Sequence, residues 1–342
     1  MNGSLLSTVA FPVFTDLVRR TFVKPPQMVE PKAGVLFMKE PISKGQGSSK
    51  IYHEQDVQTF GKLKQEGKAV SKAKYGVGYN KTLYKKRIGM EIDITQEMRD
   101  ENRYNDVSNL ILSLAHFNPQ RIELDQTHRL TFASSTSYTD LDGQSVDVSM
   151  GDGLSLINTA HTLKYSSSTY NNRVTADPVF SQGALEAAEN LMTTDIRSNF
   201  GEKRSMKFNT IITGDNATVC NSVKQIIMST ASVDGTHAGV LNVNKGKYRH
   251  VELPYLATTA TGAPDSTKKY WWFVAAIGNG SGGSFQAYHG EWESSHMKNT
   301  NGKEGSNSDD FSRDVWSYGT RAGYGLAVVS GRGIIGSLPT SA

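Results

Sequence analysis

Cysteine, long apolar runs and internal repeats are nearly absent from this sequence. The single cysteine, Cys220, excludes an intrachain disulfide, which fits folding in a reducing compartment. No apolar run approaches the ~20 residues needed to cross a bilayer. Residues 5–18 contain Pro12 and Asp16 and do not resemble a secretory signal. No repeat of fixed period occurs, which excludes solenoids and propellers. We therefore expect a globular chain with no membrane partner.

Charge is distributed unevenly along the 342 residues, whose net charge is +4. Residues 35–90 contain twelve Lys and Arg against four Asp and Glu, a net charge of +8, whereas residues 91–342 carry −6. A basic segment joined to an acidic body can bind nucleic acid, or it can dock on the acidic body of a second copy. Docking on a second copy is the preferred interpretation.

The first 34 residues have the pattern of an extended arm. A short apolar piece with Phe14 and Leu17 leads into Pro25-Pro26, and adjacent prolines enforce an extended backbone. We expect these four residues to contact another surface, because the segment has too few apolar residues for a core of its own.

Residues 51–94 carry a strand signal with little to cover it. Tyr75, Val77 and Tyr79 alternate with polar residues and glycines, which predicts strands with one apolar and one wet face. Residues 62–68 predict the polar tip of a long hairpin, and an isolated hairpin is marginally stable without a partner surface. Its lysines are therefore predicted to be intersubunit contacts: Lys62, Lys64, Lys68, Lys72 and Lys74.

Three helices and several later strands follow. The first helix is predicted to begin near Thr95 and to break near Pro119, because proline removes a backbone donor. The second spans 180–194 with Ser181 as its cap, and the third follows a cap at Asp215 or Asn216. Beyond residue 238 the pattern is mainly β. The fold class is therefore α+β.

Three local patterns resemble known phage head subunits. The Asp-Gly, apolar, small, His run of 151–161 and the Ala-rich helix of 181–192 resemble consecutive segments of Mu-type major head subunits. The glycines and arginines of 321–333 resemble the closing β region of the same families. In its order of parts the whole chain resembles the Hong-Kong-97-type capsid fold, which encapsulins share.

That resemblance implies a domain plan and a function. The arm would be 1–34, the extended loop 35–92, the peripheral domain with its spine helix 93–204, the axial domain 205–310, and closing peripheral strands 311–342. The chain would be a major capsid protein that forms pentamers and hexamers of an icosahedral shell around double-stranded DNA. It would be assembled in the host cytoplasm and located in the virion. Scaffolding, portal and decoration proteins are possible separate partners.

Two departures from the family narrow what the resemblance implies. No long charged helical region precedes the arm, so any scaffold is expected to be a separate protein. Some members crosslink a loop lysine to an asparagine of the closing strands, and residues 311–342 contain no asparagine. We therefore expect no covalent crosslinking.

The remaining chemical motifs favour structural interpretations. The glycines of 331–336 match a dinucleotide fingerprint, but that chemistry needs a following helix and a distant acid, and only six residues remain. They predict tight β packing instead. The set His289, Glu291, Glu293 and His296 could converge on a metal, although a polar outer strand face is preferred. No catalytic set, cofactor or metal is expected.

Two other functions stay open. An encapsulin-like compartment has the same fold and would enclose enzyme cargo instead of a genome. A nucleic-acid-binding protein would use the basic hairpin, but no known nucleic-acid motif occurs in the chain.

Overall fold

A computed structural model describes residues 31–43, 45, 47–57, 60–95, 97–98, 101, 104–231, 241–278, 285–299 and 315–341. The predicted arm contacts Phe14, Leu17, Pro25 and Pro26 lie outside the described residues. Among those described, no helix has the length and apolarity to span a bilayer.

The chain is α+β, as predicted. A 3-10 turn at Ala33–Leu36 precedes α1 (Tyr104–Thr131), α2 (Gln182–Thr194) and α3 (Ala217–Met228). The first eight strands are β1 (Met38–Pro41), β2 (Ser49–Val57), β3 (Tyr75–Tyr84), β4 (Lys86–Thr95), β5 (Ser137–Thr139), β6 (Ser145–Asp147), β7 (His161–Leu163) and β8 (Ser166–Tyr170). The others are β9 (Thr210–Thr213), β10 (Arg249–Glu252), β11 (Trp272–Ala275), β12 (Ala287–Asn299), β13 (Val315–Val328) and β14 (Ile334–Ser337).

Two four-stranded sheets organise the body. The long-strand sheet has the order β1-β12-β13-β4, and the central sheet has the order β10-β9-β11-β14. Smaller antiparallel pairs join β2 to β3, β5 to β6 and β7 to β8. The pattern beyond residue 238 was predicted to be mainly β, and five strands, β10 to β14, lie there.

The central sheet is buried on both faces, because successive side chains of a strand point to opposite sides. Ile211, Trp272 and Ile335 face the core that α2 and α3 cover. Their neighbours Ile212 and Phe273 face the main core, which also contains the last turn of α1. Continuous apolar runs such as Trp272–Ala275 follow from this two-sided burial.

Helix α1 lies on the long-strand sheet and is not broken at Pro119. It runs through this residue for 28 residues in all, contrary to the predicted break. Proline removes only one backbone donor, and packing on both sides of it compensates. Ile111 and Leu114 are buried before it, and Asn118 donates a 2.7 Å hydrogen bond to Thr320 Oγ1 of β13.

Both later helices begin where predicted. The Ser181 hydroxyl accepts a hydrogen bond from the Ala184 amide at 3.2 Å, and Asn216 caps α3 by accepting from the Thr218 amide at 3.0 Å. Such caps satisfy donors that have no partner within the helix.

Packing divides the chain differently from the predicted boundaries. Helix α2 was placed with the peripheral segment, but it packs on the central sheet. Strand β12 was placed in the axial segment, but it pairs with β13 of the long-strand sheet. The closing segment is itself divided, since β14 pairs with β11 of the central sheet. The division into domains remains a proposal.

The fingerprint-like glycines allow close approach, as predicted. A Cβ on Gly336 would lie 2.7 Å from Phe273 Cδ1, and one on Gly331 would lie 2.8 Å from Asn172 Nδ2. Gly336 lies within β14, and no helix follows this motif among the described residues, so the motif lacks the geometry of a dinucleotide site.

Candidate assembly surface

The predicted long hairpin is formed by β2 and β3. These strands pair antiparallel from Ser49↔Tyr84 at the base to Val57↔Tyr75 near the tip. Of the residues between them, 60–74 contain no helix or strand. Strand β4 does not belong to this hairpin, because it pairs with β13 in the long-strand sheet.

The inner face of the hairpin lies on the protein's own body and is lined by glycine. Gly76 and Gly78 are buried, and a Cβ on Gly78 would lie 2.6 Å from Asn199 Nδ2. Around them, Tyr165 donates a 2.6 Å hydrogen bond to the Val77 carbonyl, and Lys164 Nζ donates to the Gly78 carbonyl at 3.0 Å. The β7–β8 segment therefore holds the hairpin through main-chain contacts.

Four buried polar residues lie beneath this inner face. Arg332 pairs with Glu54 of β2 and donates a 2.8 Å hydrogen bond to the Asn199 side-chain oxygen. Asn199 in turn donates to Glu54 at 2.8 Å, and its amide donates to Asp56 at 2.8 Å. Arg204 lies 3.8 Å from Asp56. A network whose charges are compensated in this way fixes one position of the hairpin.

The outer face of the hairpin carries five large apolar side chains that no described residue covers. Its large side chains are between 39% and 65% exposed: Ile51, Val57, Tyr75, Val77 and Tyr84. The tip adds three more exposed apolar residues, Phe60, Leu63 and Val70. An apolar set of this size on one surface indicates an interaction site.

A β-bulge corrects the predicted strand pattern. Tyr79 was expected on the same face as Tyr75 and Val77, but the register shifts between His53 and Gln55. An extra residue in one strand of a pair reverses the facing of the residues beyond it. Tyr79 consequently turns toward the body, where its hydroxyl lies 2.9 Å from Thr162 Oγ1.

The five tip lysines form an exposed basic cluster. Lys62, Lys64, Lys68, Lys72 and Lys74 are all exposed, and Glu66 is the only acidic residue between them. Within the described part of the chain, no carboxylate lies in ion-pair distance of any of the five. Their charge is therefore available to a partner.

Asp152 and His161, both from the run of 151–161, form a pair with buried side chains. His161 is fully buried, its Nδ1 lies 2.7 Å from Asp152 Oδ2, and its ring stacks on Tyr170 at 4.7 Å. Burial alone would raise the pKa of the Asp152 carboxyl, but the hydrogen bond and charge of His161 outweigh it and lower that pKa. The side chains of His161 and Asp152 are only 0% and 5% exposed.

The four residues of β12 that the sequence offered as an alternative metal set do not converge. His289 is buried and its Nδ1 lies 2.7 Å from Gln126 Nε2. The register shifts on either side of Glu293, so the regular alternation of side chains along the strand is interrupted between Glu291 and Glu293 and again between Glu293 and His296. The remaining contact, between His296 Nε2 and a Glu293 oxygen, is 3.7 Å long, as in a surface ion pair.

The start of the described chain is anchored on α1. The buried Glu123 accepts hydrogen bonds from the amides of Lys32 and Ala33 at 2.9 and 2.8 Å. Burial raises the pKa of this carboxyl, although the two amides partly offset the shift. Any segment before residue 31 therefore departs from a fixed point on the body.

Comparison of the structure with solved structures identifies the fold. The chain is similar to a Gordonia phage Cozz protein (TM-score 0.50, 11% identity, 91% of this chain and 90% of that one). It is equally similar to a Microbacterium phage Oxtober96 protein (TM-score 0.50, 10% identity, 99% and 96%). It is also similar to the Cyanophage Pam1 capsid asymmetric unit (TM-score 0.50, 12% identity, 92% of this chain and 95% of that one).

The chain has the Hong-Kong-97-type capsid fold. No protein-family model matches the sequence, and the search of curated proteins found no relative. At this level of identity the recognition rests on the arrangement of elements, and the capsid fold is the conclusion that it supports.

Sequence reasoning missed how the hairpin of this capsid fold is held. Glu54, Asp56 and Arg332 were not singled out, because ion pairing across the chain leaves no local pattern. The alternation of Gly76 and Gly78 with apolar residues was a usable signal. Glycines on one strand face mark a close backbone approach, and here they mark the face that docks on the body.

Proposed function

We propose that this chain is the major capsid protein of a tailed phage. Many copies would associate as pentamers and hexamers of an icosahedral shell that encloses double-stranded DNA. The chain would function by assembling into this shell, with no catalytic step. The capsid fold supports this proposal, but the observation that carries it is the uncovered apolar face of the hairpin.

The apolar outer face gives the assembly its driving force. Full burial of an exposed Val, Leu, Ile or Phe side chain contributes ~1.5–3 kcal/mol. Ile51, Val57, Tyr75, Val77 and Tyr84 lie together on one face and are 39–65% exposed, so each would contribute part of that amount. The inner face is fixed on the chain's own body and no described residue covers the outer face, so a second copy would bind there. Specific interfaces usually bury ~1,600 Å² in total, and we expect the contact made by the hairpin to be of this size.

Charge complementarity would favour one register of the contact between copies. The tip contributes five uncompensated lysines, whereas residues 91–342 carry a net charge of −6. A basic tip against an acidic body is complementary between identical copies, and such complementarity favours one register and a faster encounter. This supports docking on a neighbour over binding of the tip to DNA.

The parts of the chain would divide the work of assembly. The arm (1–34) and extended loop (35–92) would reach neighbours, and α1 would be the spine of the peripheral domain (93–204). The axial domain (205–310) would fill the capsomer centre, with the closing strands (311–342) returning to the peripheral domain. The observed packing supports an adjusted division in which α2 and β14 belong with the central sheet and β12 belongs with the long-strand sheet.

The partners follow from the same proposal. The chain's principal partner would be itself, with separate scaffolding, portal and decoration proteins and enclosed DNA. Its location would be the virion, after assembly in the host cytoplasm.

Threonine substitutions on the outer face test the proposal. Threonine retains β propensity, so a combined I51T, V57T, Y75T and V77T variant should keep its hairpin while losing apolar surface. We expect a folded chain with the wild-type circular dichroism spectrum and at least tenfold fewer particles by electron microscopy. The matched control is the apolar set I51V, V57I, Y75F and V77I, which should assemble. Normal assembly of the threonine variant would contradict the proposal.

Particle contents distinguish the alternatives of the same fold. Shells assembled during infection should contain double-stranded DNA, measured by nuclease-protected nucleic acid per particle. Protein cargo without nucleic acid would instead indicate an encapsulin-like compartment. A chain that binds DNA but forms no particles would indicate a nucleic-acid-binding protein.

A further inference from the structure

A group of three possible metal-ligating side chains lies away from the hairpin, at the edge of the central sheet. Cys220 lies in the first turn of α3, and His250 and Glu252 lie on β10. One possible ligand atom from each of the three lies within 4.8 Å of the other two. Among the described residues this is the only such group of three.

The topology of the sheet brings these residues together. His250 and Glu252 are two residues apart on one strand, so they share a face. The parallel register pairs Glu252 with Thr213, the last residue of β9. Helix α3 begins shortly after β9 and turns Cys220 back toward the same place, where its Sγ lies 3.1 Å from the Gly214 carbonyl.

Thr213 orients the imidazole. Its hydroxyl donates to the Gly214 carbonyl at 3.0 Å and so can accept a hydrogen bond from His250 Nε2–H, which lies 2.8 Å away. The lone pair of a neutral His250 is then on Nδ1, which lies 3.6 Å from a Glu252 oxygen. His250 Nδ1 and the Glu252 oxygen, both acceptors, thus lie close to each other beside the Cys220 thiol. A hydrogen bond that fixes the far ring nitrogen is the usual support of a metal-ligating histidine.

We propose that Cys220, His250 and Glu252 bind one Zn²⁺ ion, with water in the fourth position. A thiolate, an imidazole and a carboxylate are the side-chain ligands that zinc takes in proteins, whereas Mg²⁺ and Ca²⁺ prefer oxygen alone. The Cys220 thiol gives up its proton to solvent when the metal–sulfur bond forms.

Lys224 competes for one ligand of the proposed site. Its Nζ lies 2.7 Å from Glu252 Oε1, and its side chain is 47% exposed. It is one helical turn beyond Cys220, so it reaches the same site from α3. The side chain is long and flexible, so a metal ion can displace it into solvent. The ion would link α3 to β10 through direct bonds and would not depend on the proposed function.

Metal titration of the full-length, untagged chain tests the site. After treatment with a chelator, the wild type should bind one Zn²⁺ per chain by isothermal titration calorimetry. With Co²⁺ as the probe, it should show a thiolate-to-cobalt charge-transfer band, which is diagnostic because the chain has a single cysteine. C220S should lose the band and weaken zinc binding at least tenfold, and H250Q should weaken binding similarly.

Two further variants make the test specific. K224M removes the nearer of two ammonium groups at Glu252, since Lys32 Nζ lies 4.0 Å from the other oxygen, and should tighten zinc binding at least tenfold. H296Q changes a histidine that also lies near a glutamate, at 3.7 Å from Glu293, and should leave affinity unchanged. Absence of stoichiometric binding, a band that persists in C220S, or an unchanged affinity in K224M would each overturn the proposal. Shell assembly is measured separately, so its failure would leave the zinc result interpretable.

Discussion

Arg332 and Glu54 form an ion pair that joins the closing segment to the hairpin across 278 residues of chain. Their side chains are only 4% and 3% exposed. Asn199 binds both of them, and Asp56 lies 3.9 Å from the Arg332 guanidinium. The position of the hairpin on the body therefore depends on a charge contributed from the far end of the sequence.

Removal of the Arg332 charge should release the hairpin. R332M leaves Glu54 and Asp56 buried without their main counter-charge, which typically costs ~3–5 kcal/mol. We expect a decrease of this size in the free energy of unfolding in urea, and faster hydrogen exchange in β2 and β3. The control R87M breaks an exposed pair with Glu293 and should cost less than ~1 kcal/mol. Equal losses in the two variants would show that the buried network does not hold the hairpin.

Reversal of the tip charge should prevent assembly without DNA. Changing Lys62, Lys64, Lys68, Lys72 and Lys74 together to Glu places like charges against the acidic body of a neighbour. Exposed pairs contribute only ~0.2–1 kcal/mol each, so single changes can be silent. The measurement is the yield of empty shells, and a five-fold Lys→Arg variant is the control that keeps the charge.

Salt should weaken the wild-type contact, because the screening length is ~10 Å at 0.1 M. If the Lys→Glu variant gives empty shells at normal yield and only retains less DNA, the tip binds the genome and the docking interpretation is wrong.

Deletion of the arm should impair assembly and leave the body folded. The deletion is limited to residues 1–30, because Ala33 and Leu36 are buried in the main core and Glu123 binds the amides of Lys32 and Ala33. We expect an unchanged melting temperature of the unassembled chain and a lower shell yield. An unfolded truncated chain would instead show that the arm contributes to the core of its own subunit.

His128 should make the chain sensitive to acid. It lies on α1 and is buried against the segment after β10, where its Nε2 lies 3.2 Å from Thr258 Oγ1. Burial lowers its pKa from 6.5 to about 4. The unfolded chain therefore binds a proton between these values that the folded chain does not. The stabilisation is complete above pH 6.5 and is lost as the pH falls toward 4.

The loss should approach about 3 kcal/mol, since one pKa unit corresponds to ~1.4 kcal/mol. We expect the stability difference between wild type and H128Q to narrow as the pH falls, as measured by urea unfolding at several pH values. H53Q changes an exposed histidine of β2 and should follow the wild type. Parallel curves for wild type and H128Q would contradict this assignment.

The sequence predicted local features well and long-range ones poorly. The caps at Ser181 and Asn216 and the buried strand at Trp272 each depend on neighbouring residues, so their patterns were readable. The passage of α1 through Pro119 depends instead on side chains such as Asn118, which bonds to Thr320 more than 200 residues away.

The same distinction applies to the hairpin. Its strands and polar tip follow from alternation and composition, and both were predicted. Which face docks on the body depends on Arg332 and Asn199, and the bulge opposite Glu54 alters the alternation itself. The predicted domain boundaries also differ from the observed packing because of long-range contacts. The pairing of β14 with β11, for example, joins segments about 60 residues apart.

Cryo-electron microscopy of the purified full-length protein, with a scaffold present, tests the central claim most directly. The account predicts closed shells in which the face formed by Ile51, Val57, Tyr75 and Val77 lies against a neighbouring copy, with the lysine tip near acidic side chains. Shells in which this face is exposed to solvent would contradict the proposed role of the hairpin. A chain that stays monomeric under all conditions would contradict the capsid function itself.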